Sequence, residues 1–229
     1  MKRSALVIGA TGGAGREVVR SLVLEGYEVF FTGRRQPAIE ALVDEIPQAH
    51  GFALDATDRA AASQRIAEID DSFPLHAYVH LAGGYLGGEA IEEASEASWS
   101  GVFSANWETL RVTGSLAYAR MKRRGAGSIV TFGALAALSG GALSSGYAVA
   151  KAAVVAFTRC LAEEGRVSGV RANCIVPGIL DTPGNRAAMP HADRSAWVPV
   201  EELARAVAFL CSDRSAGVNG SLIQMKGGL

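Results

Sequence analysis

Short apolar runs rich in β-branched residues alternate with longer stretches of helical periodicity along the whole chain. Strands are expected at residues 5–8, 27–32, 50–54, 77–81, 128–132, 170–176 and 220–225. Helices are expected between them, at 13–25, 38–46, 58–69, 98–124, 147–164 and 200–210. In the first helix Val18, Val19, Leu22 and Val23 fall on one face, and Pro37 opens the second at a favoured first-turn position. The strands read as near-continuous apolar runs, the pattern of strands covered on both faces. Parallel neighbours need a crossover between them, and a helix fills nearly every gap. The pattern therefore predicts the α/β class: one domain over residues 1–229, doubly wound, with a seven-stranded, mostly parallel sheet and helices on both faces.

Composition narrows the partners. The chain has 229 residues, 49% hydrophobic and 20% charged, which is enough apolar material for one large core. Net charge is −1 with Lys and Arg spread evenly, so no basic face for nucleic acid or an anionic membrane is expected. Met1-Lys2-Arg3 leads into an apolar segment too short for a secretory leader, and the uncharged stretch 125–150 is broken by glycine and serine. Cys160, Cys174 and Cys211 are expected to be reduced core residues of a cytoplasmic protein. The four histidines, His50, His76, His80 and His191, have no metal-ligand spacing, so no metal is expected; the first three read as structural.

Candidate chemistry begins after the first strand, at Gly9-Ala10-Thr11-Gly12-Gly13-Ala14-Gly15. Glycines there permit a tight turn and close approach of backbone to a pyrophosphate, and the following helix N-terminus offers free N–H groups. This marks a Rossmann-type dinucleotide site. The second strand ends in Gly33-Arg34-Arg35, where an NAD-preferring enzyme usually carries an acid for the ribose 2′-hydroxyl. Two arginines suit a 2′-phosphate, so NADP(H) is favoured over NAD(H). Asp55-Ala56 after the third strand is placed for the adenine, and Ala82-Gly83-Gly84 after the fourth lets the chain pass close to the cofactor.

Tyr147 and Lys151 lie four apart at the start of a helix, so both share one face. An ammonium beside a phenol favours the phenolate, and the pair is expected to bring the tyrosine pKa toward neutral for proton transfer. With these residues in place the chain resembles the short-chain dehydrogenases/reductases over essentially its whole length. The matching elements are Gly9/Gly13/Gly15, Ala82-Gly83, Asn106, Tyr147-x-x-x-Lys151, Pro177-Gly178 and Gly220…Gly227-Gly228. The resemblance implies that Tyr147 is the acid/base and that Lys151 holds the nicotinamide ribose and tunes the tyrosine. It also implies that Asn106 holds a relay water, while Pro177, Gly178 and Thr182 border the nicotinamide.

One position departs from that family. Its members usually carry a serine thirteen residues before the tyrosine, and here that position is Ala134. Losing such a donor costs about a hundredfold or more on an unactivated carbonyl. Ala82–Gly88, the serine-free Gly133–Leu138 and the segment from Leu180 through Trp197 to Pro199 are similar to the dihydropteridine reductases. That branch also lacks the serine and reduces a quinonoid ring, which accepts hydride readily. It prefers NADH and carries an acid after the second strand, which this chain does not. Residues 179–199 are expected to form a lid, with Met189 and Trp197 as surfaces for a flat substrate.

Three functions stay open on these grounds. The first is an NAD(P)H-dependent reductase of a planar, activated small molecule. The second is a reductase of ordinary ketones in which Ser144 or Ser145 replaces the missing hydroxyl, and the third is a dinucleotide sensor without catalysis. Apolar positions on several faces of the helices from Ser98 and Tyr147, together with the family's habit of pairing them, imply a homodimer or homotetramer.

Overall fold

The computed structural model describes residues 3–228. Nine strands and nine α-helices alternate among these residues: β1 (Ser4–Ile8), α1 (Gly15–Leu24), β2 (Glu28–Gly33), α2 (Gln36–Glu45), β3 (Ala49–Ala53), α3 (Arg59–Ser72) and β4 (Leu75–His80) make the first half. Then follow α4 (Glu96–Phe103), α5 (Thr109–Arg124), β5 (Gly127–Phe132), α6 (Ala136–Ser139), α7 (Ser145–Gly165) and β6 (Val170–Pro177). The chain closes with β7 (Leu180–Asp181), α8 (Pro183–Ala188), β8 (Val198–Pro199), α9 (Val200–Cys211) and β9 (Leu222–Met225). Seven strands form one sheet in the order β3-β2-β1-β4-β5-β6-β9. Every neighbouring pair in it is parallel, so the sheet is wholly rather than mostly parallel.

Side chains alternate across a strand, and here both sides of the alternation are apolar. Ala5 and Val7 of β1 join Val18 and Leu22 of α1, Ile39 of α2, and Leu203 and Val207 of α9 in one buried cluster. Leu6 and Ile8 join Ile66 of α3, Leu110 and Met121 of α5, and Val154 of α7 in another. Each fully buried side chain of this size contributes roughly 1.5–3 kcal/mol, so two filled layers explain why the strands read as unbroken apolar runs. Thr131 of β5 is buried as well and shares a hydrogen bond with Thr158 of α7, 2.6 Å between hydroxyls.

Two expectations change. The helix foreseen at 98–124 is interrupted by a wider π-helical turn, Ser104–Glu108, between α4 and α5. The pattern of apolar residues gave no sign of it because the side chains that hold it, Asn106 and Thr109, act through carbonyls rather than through burial. Of the three free cysteines, Cys174 and Cys211 are buried, but Cys160 is exposed on the outer face of α7. Among the described residues no helix is long and apolar enough to cross a membrane, and no group of three or more His, Cys, Asp or Glu could hold a metal. The chain runs from β1 outward to β3, then returns to β4 on the other side of β1. Such a switch point opens a crevice at the carboxyl ends of β1 and β4, where the site is built.

Candidate active site

At the end of β1 the backbone must turn within a few ångströms of the end of β4. Gly9 has φ +83°, and a Cβ there would stand 2.7 Å from the Ala82 backbone, so only glycine fits. Ala14 offers α1 no side-chain cap, and Gly12 and Gly13 before it are exposed. Gly15 then begins the helix. A helix start of small residues with no side-chain cap leaves its N–H groups open to phosphate groups, so these residues fit a dinucleotide. Gly13 also faces the lid: a Cβ on it would lie 2.8 Å from Cβ of Thr182. Thr182 is buried, and its Oγ1 caps α8 by accepting from Asn185 N at 3.2 Å.

Beneath Thr11 lies Gly33, the last residue of β2. A Cβ at Gly33 would meet Thr11 Cγ2 at 2.5 Å, so the threonine fills the space that an acidic side chain would need. Arg34 and Arg35 follow and are exposed. The Asp55 carboxylate accepts from Thr57 Oγ1 at 2.7 Å and from Thr57 N at 2.9 Å. These bonds, with a smaller pull from Arg34, hold it below the usual carboxylate range. Ala56 is buried behind it. Pro177 ends β6, and Gly178 N donates to Met225 O at 2.7 Å, which ties the approach to the lid to the strand beyond.

The catalytic candidates come from two elements, α7 and the π-helical turn. Tyr147 and Lys151 sit in the first turns of α7, with Lys151 Nζ 5.9 Å from the centre of the tyrosine ring. Lys151 is buried and donates to Phe132 O, at the end of β5, at 3.0 Å. Burial pushes its ammonium down to about 8. Asn106, fully buried in the π-helical turn, donates from Nδ2 to Gly84 O and Val102 O, and accepts from Gly84 N, each at 3.1 Å. Both amide protons are therefore spent inside the protein, and the side chain clamps the Gly83–Gly84 turn. Gly83 has φ +130°, and a Cβ on it would collide with Asn106 Oδ1 at 2.4 Å.

The phenol does not behave as its lysine neighbour led one to expect. Desolvation, then the nearby Tyr85, push Tyr147 up to about 12 rather than toward neutral. The reason is geometric: the ammonium lies against the ring and bonds Phe132, while the Tyr85 ring packs edge-on at 5.3 Å. In this arrangement Tyr147 holds its proton.

Ala134, just past β5, is buried and has no hydroxyl to offer. Ser144 is buried too, and its Oγ donates to Gly141 O at 2.9 Å, so it serves the turn before α7. Ser145 lines a cleft of about 430 Å³ with Trp99, Val102, Leu86 and Leu143. Leu143 has φ +56°, and its carbonyl accepts from Gly88 N at 2.7 Å, which joins this turn to the loop after β4. In the lid, Met189 is half-buried. Trp197 is 5% exposed, takes Arg194 over its ring at 5.9 Å, and donates its backbone N–H to Arg194 O at 2.9 Å. The Trp197 ring is thus largely buried in the lid. His191 is exposed on the lid.

The family model described as short chain dehydrogenase matches residues 3–193. The chain belongs to the short-chain dehydrogenase/reductase family. A curated relative, the 3-oxoacyl-[acyl-carrier-protein] reductase FabG of Escherichia coli (strain K12), is 28% identical, with 98% of this chain and 96% of the relative covered. Acetoacetyl-CoA reductase of Acinetobacter sp. is 30% identical over 100% of this chain and 98% of its own. Among solved structures, a single-residue variant of actinorhodin polyketide ketoreductase with NADPH superposes with a TM-score of 0.91 at 25% identity, covering 100% and 97% of the two chains. As a short-chain dehydrogenase/reductase the chain is an NAD(P)-dependent oxidoreductase, and the nicotinamide supplies or accepts hydride when bound. Sequence reasoning placed Tyr147 and Lys151 on one helix face, and the structure has Lys151 Nζ 5.9 Å from the tyrosine ring centre. It missed Tyr85 as a neighbour of Tyr147 and Trp99 as a wall of the cleft. Tyr85 sits in a glycine-rich loop whose shape no periodicity reveals.

Proposed function

We propose that the protein is an NADPH-preferring reductase that delivers hydride to a planar, already electrophilic small molecule of the quinonoid dihydropterin kind, with Tyr147 as proton donor. One observation carries this reading: where the family usually has a serine stands buried Ala134, while the neighbouring Ser144 hydroxyl is committed to Gly141. An acceptor that needs only a proton after hydride addition loses little from that absence, whereas a simple ketone loses an oxyanion-stabilising donor. Tyr147, held protonated, is suited to giving that proton. Gly33 packed under Thr11, with exposed Arg34 and Arg35 next to it, supports the NADPH preference. Asp55 and Ala56 are assigned to the adenine, Pro177, Gly178 and Thr182 to the nicotinamide edge, and Met189 to the substrate. The free cysteines agree with a reducing, cytoplasmic setting.

The test is steady-state reduction of quinonoid dihydropterin and of acetoacetyl-CoA with NADPH and NADH in parallel. Turnover of the pterin with NADPH, at a kcat/KM well above that for the thioester, is expected; absence of pterin turnover with either nucleotide rejects the reading. A second reading has its own support: the relatives are named for 3-oxoacyl and acetoacetyl reduction, and Ser145 lines the cleft at the start of α7. In that case Ser145→Ala abolishes thioester reduction; in the first it leaves pterin reduction nearly intact.

A further inference from the structure

Strand β4 and helix α5 are joined by polar rungs inside an otherwise apolar layer. Tyr78 and His80, alternate residues of β4 and so on one face, are buried at 0% and 1% exposure. Opposite them Thr113 and Thr109 lie one turn apart on α5 and are also buried. Thr113 Oγ1 donates to Thr109 O at 2.6 Å, so its one proton is spent and Tyr78 Oη, 2.6 Å away, is the donor to it. Thr109 Oγ1 likewise donates to Ala105 O at 3.0 Å, so His80 Nε2, at 3.1 Å, must donate to Thr109. Desolvation, with the Lys151 charge adding to it, pushes the imidazole down to about 3, and His80 is a neutral donor at any working pH.

The two rungs lead to different places. Tyr78 and Thr113 brace regular helix. His80 and Thr109 reach Ala105, inside the π-helical turn and next to Asn106. In that region two carbonyls are taken by side chains, Val102 O by Asn106 Nδ2 and Ala105 O by Thr109 Oγ1. Side chains bonded into the helix ladder are one cause of irregular turns, and here Asn106 in the wider turn and Thr109 just after it do so. Asn106 passes the consequence outward through its paired bonds to Gly84 N and O. Beside it, Gly83 lies so close that an added Cβ would be 3.4 Å from Lys151 Nζ.

We infer that His80, acting through the Thr109 hydroxyl, is a positioning residue that fixes the Ser104–Glu108 turn and thereby the placement of the Gly83–Gly84 turn against Lys151. This role belongs to the reductase machinery and holds whichever acceptor is reduced.

Amide hydrogen exchange on the cofactor-free protein tests it, because the Gly84 N–H is itself bonded to Asn106 Oδ1. Thr109→Val and His80→Leu are expected to speed exchange at Gly84 by about tenfold or more. His80→Gln, whose amide can donate to the same hydroxyl, should return it to within about threefold of the parent. Ser128→Ala removes a buried bond to Leu210 O, 2.7 Å long, in another part of the sheet; it should lower the melting temperature and leave Gly84 exchange alone. With NADPH and whichever acceptor turns over, Thr109→Val should cut kcat about tenfold while KM for NADPH shifts by less than about threefold. Unchanged Gly84 exchange in folded Thr109→Val overturns the inference, as does equal acceleration by Ser128→Ala or a glutamine variant no better than leucine. Should His80→Leu not fold, Thr109→Ser against Thr109→Val decides, since only the first keeps the hydroxyl.

Discussion

A carbonyl being reduced gathers negative charge on oxygen, and the groups that face that oxygen set how much barrier is removed. On the proposed reading Tyr147 donates and Ala134 cannot, which makes the alanine the residue that decides substrate class. Ala134→Ser is expected to raise kcat/KM for acetoacetyl-CoA at least about tenfold, since a donor of this kind is worth roughly a hundredfold or more where it is well placed. A ketone rate that does not rise in the variant would argue against the assignment. Lys151 supplies a second residue-scale test. Its folded-state pKa is about 8 against an ordinary value of 10.5, because burial penalises the ammonium. Between those two pH values the unfolded chain binds more protons than the folded one, so stability rises with pH across that window. Below about 8 both states are charged and the full cost of burial stands. Urea denaturation of the cofactor-free protein should therefore show the parent gaining on Lys151→Met from pH 8 to 10.5; parallel curves would contradict the burial.

At the scale of elements, the ends of β1 and β4 are hydrogen-bonded through Leu81 N and Ile8 O, and Lys151 near the start of α7 bonds the end of β5. The turn from β1 into α1 is the tightest of these meetings. Gly9→Ala places a Cβ 2.7 Å from the Ala82 backbone on a residue with φ +83°, where neither side can yield cheaply. A loss of about 1–3 kcal/mol is expected from strain of this kind, read as a lower urea midpoint with the m value unchanged, together with weaker NADPH binding by fluorescence titration. Element boundaries were legible where apolar runs end in glycine, as at Gly9 and Gly33. The break between α4 and α5 was not legible, since Asn106 and Thr109 look like any polar residues within a helix. Nor was the lid's small parallel pair of β7 and β8, two residues each, which exists only because the lid folds back on itself.

For the whole molecule, the π-helical turn and α7 leave apolar side chains partly exposed. Trp107 and Phe157 pack edge-to-face at 5.3 Å and both remain partly exposed, while Val149 is 49% exposed. Pairing of these helices between copies would cover that surface. Light scattering is expected to give a dimer or tetramer, and Phe157→Glu should shift it toward monomer; a monomeric parent would remove the expectation.

What the chain determined by itself was the periodicity: apolar runs of strand length separated by helices, a glycine turn after the first strand, and Tyr147 four residues before Lys151. Those features follow from local rules, because helix and strand periods and turn chemistry act over a few residues. The tertiary structure alone decided the state of those groups. It drew the ammonium to Phe132, set Tyr85 against Tyr147, turned Ser144 to its own loop and packed Trp197 into the lid's base. Each outcome depends on which distant segment arrives alongside and how much water it displaces, and neither is written in the spacing of residues along the chain.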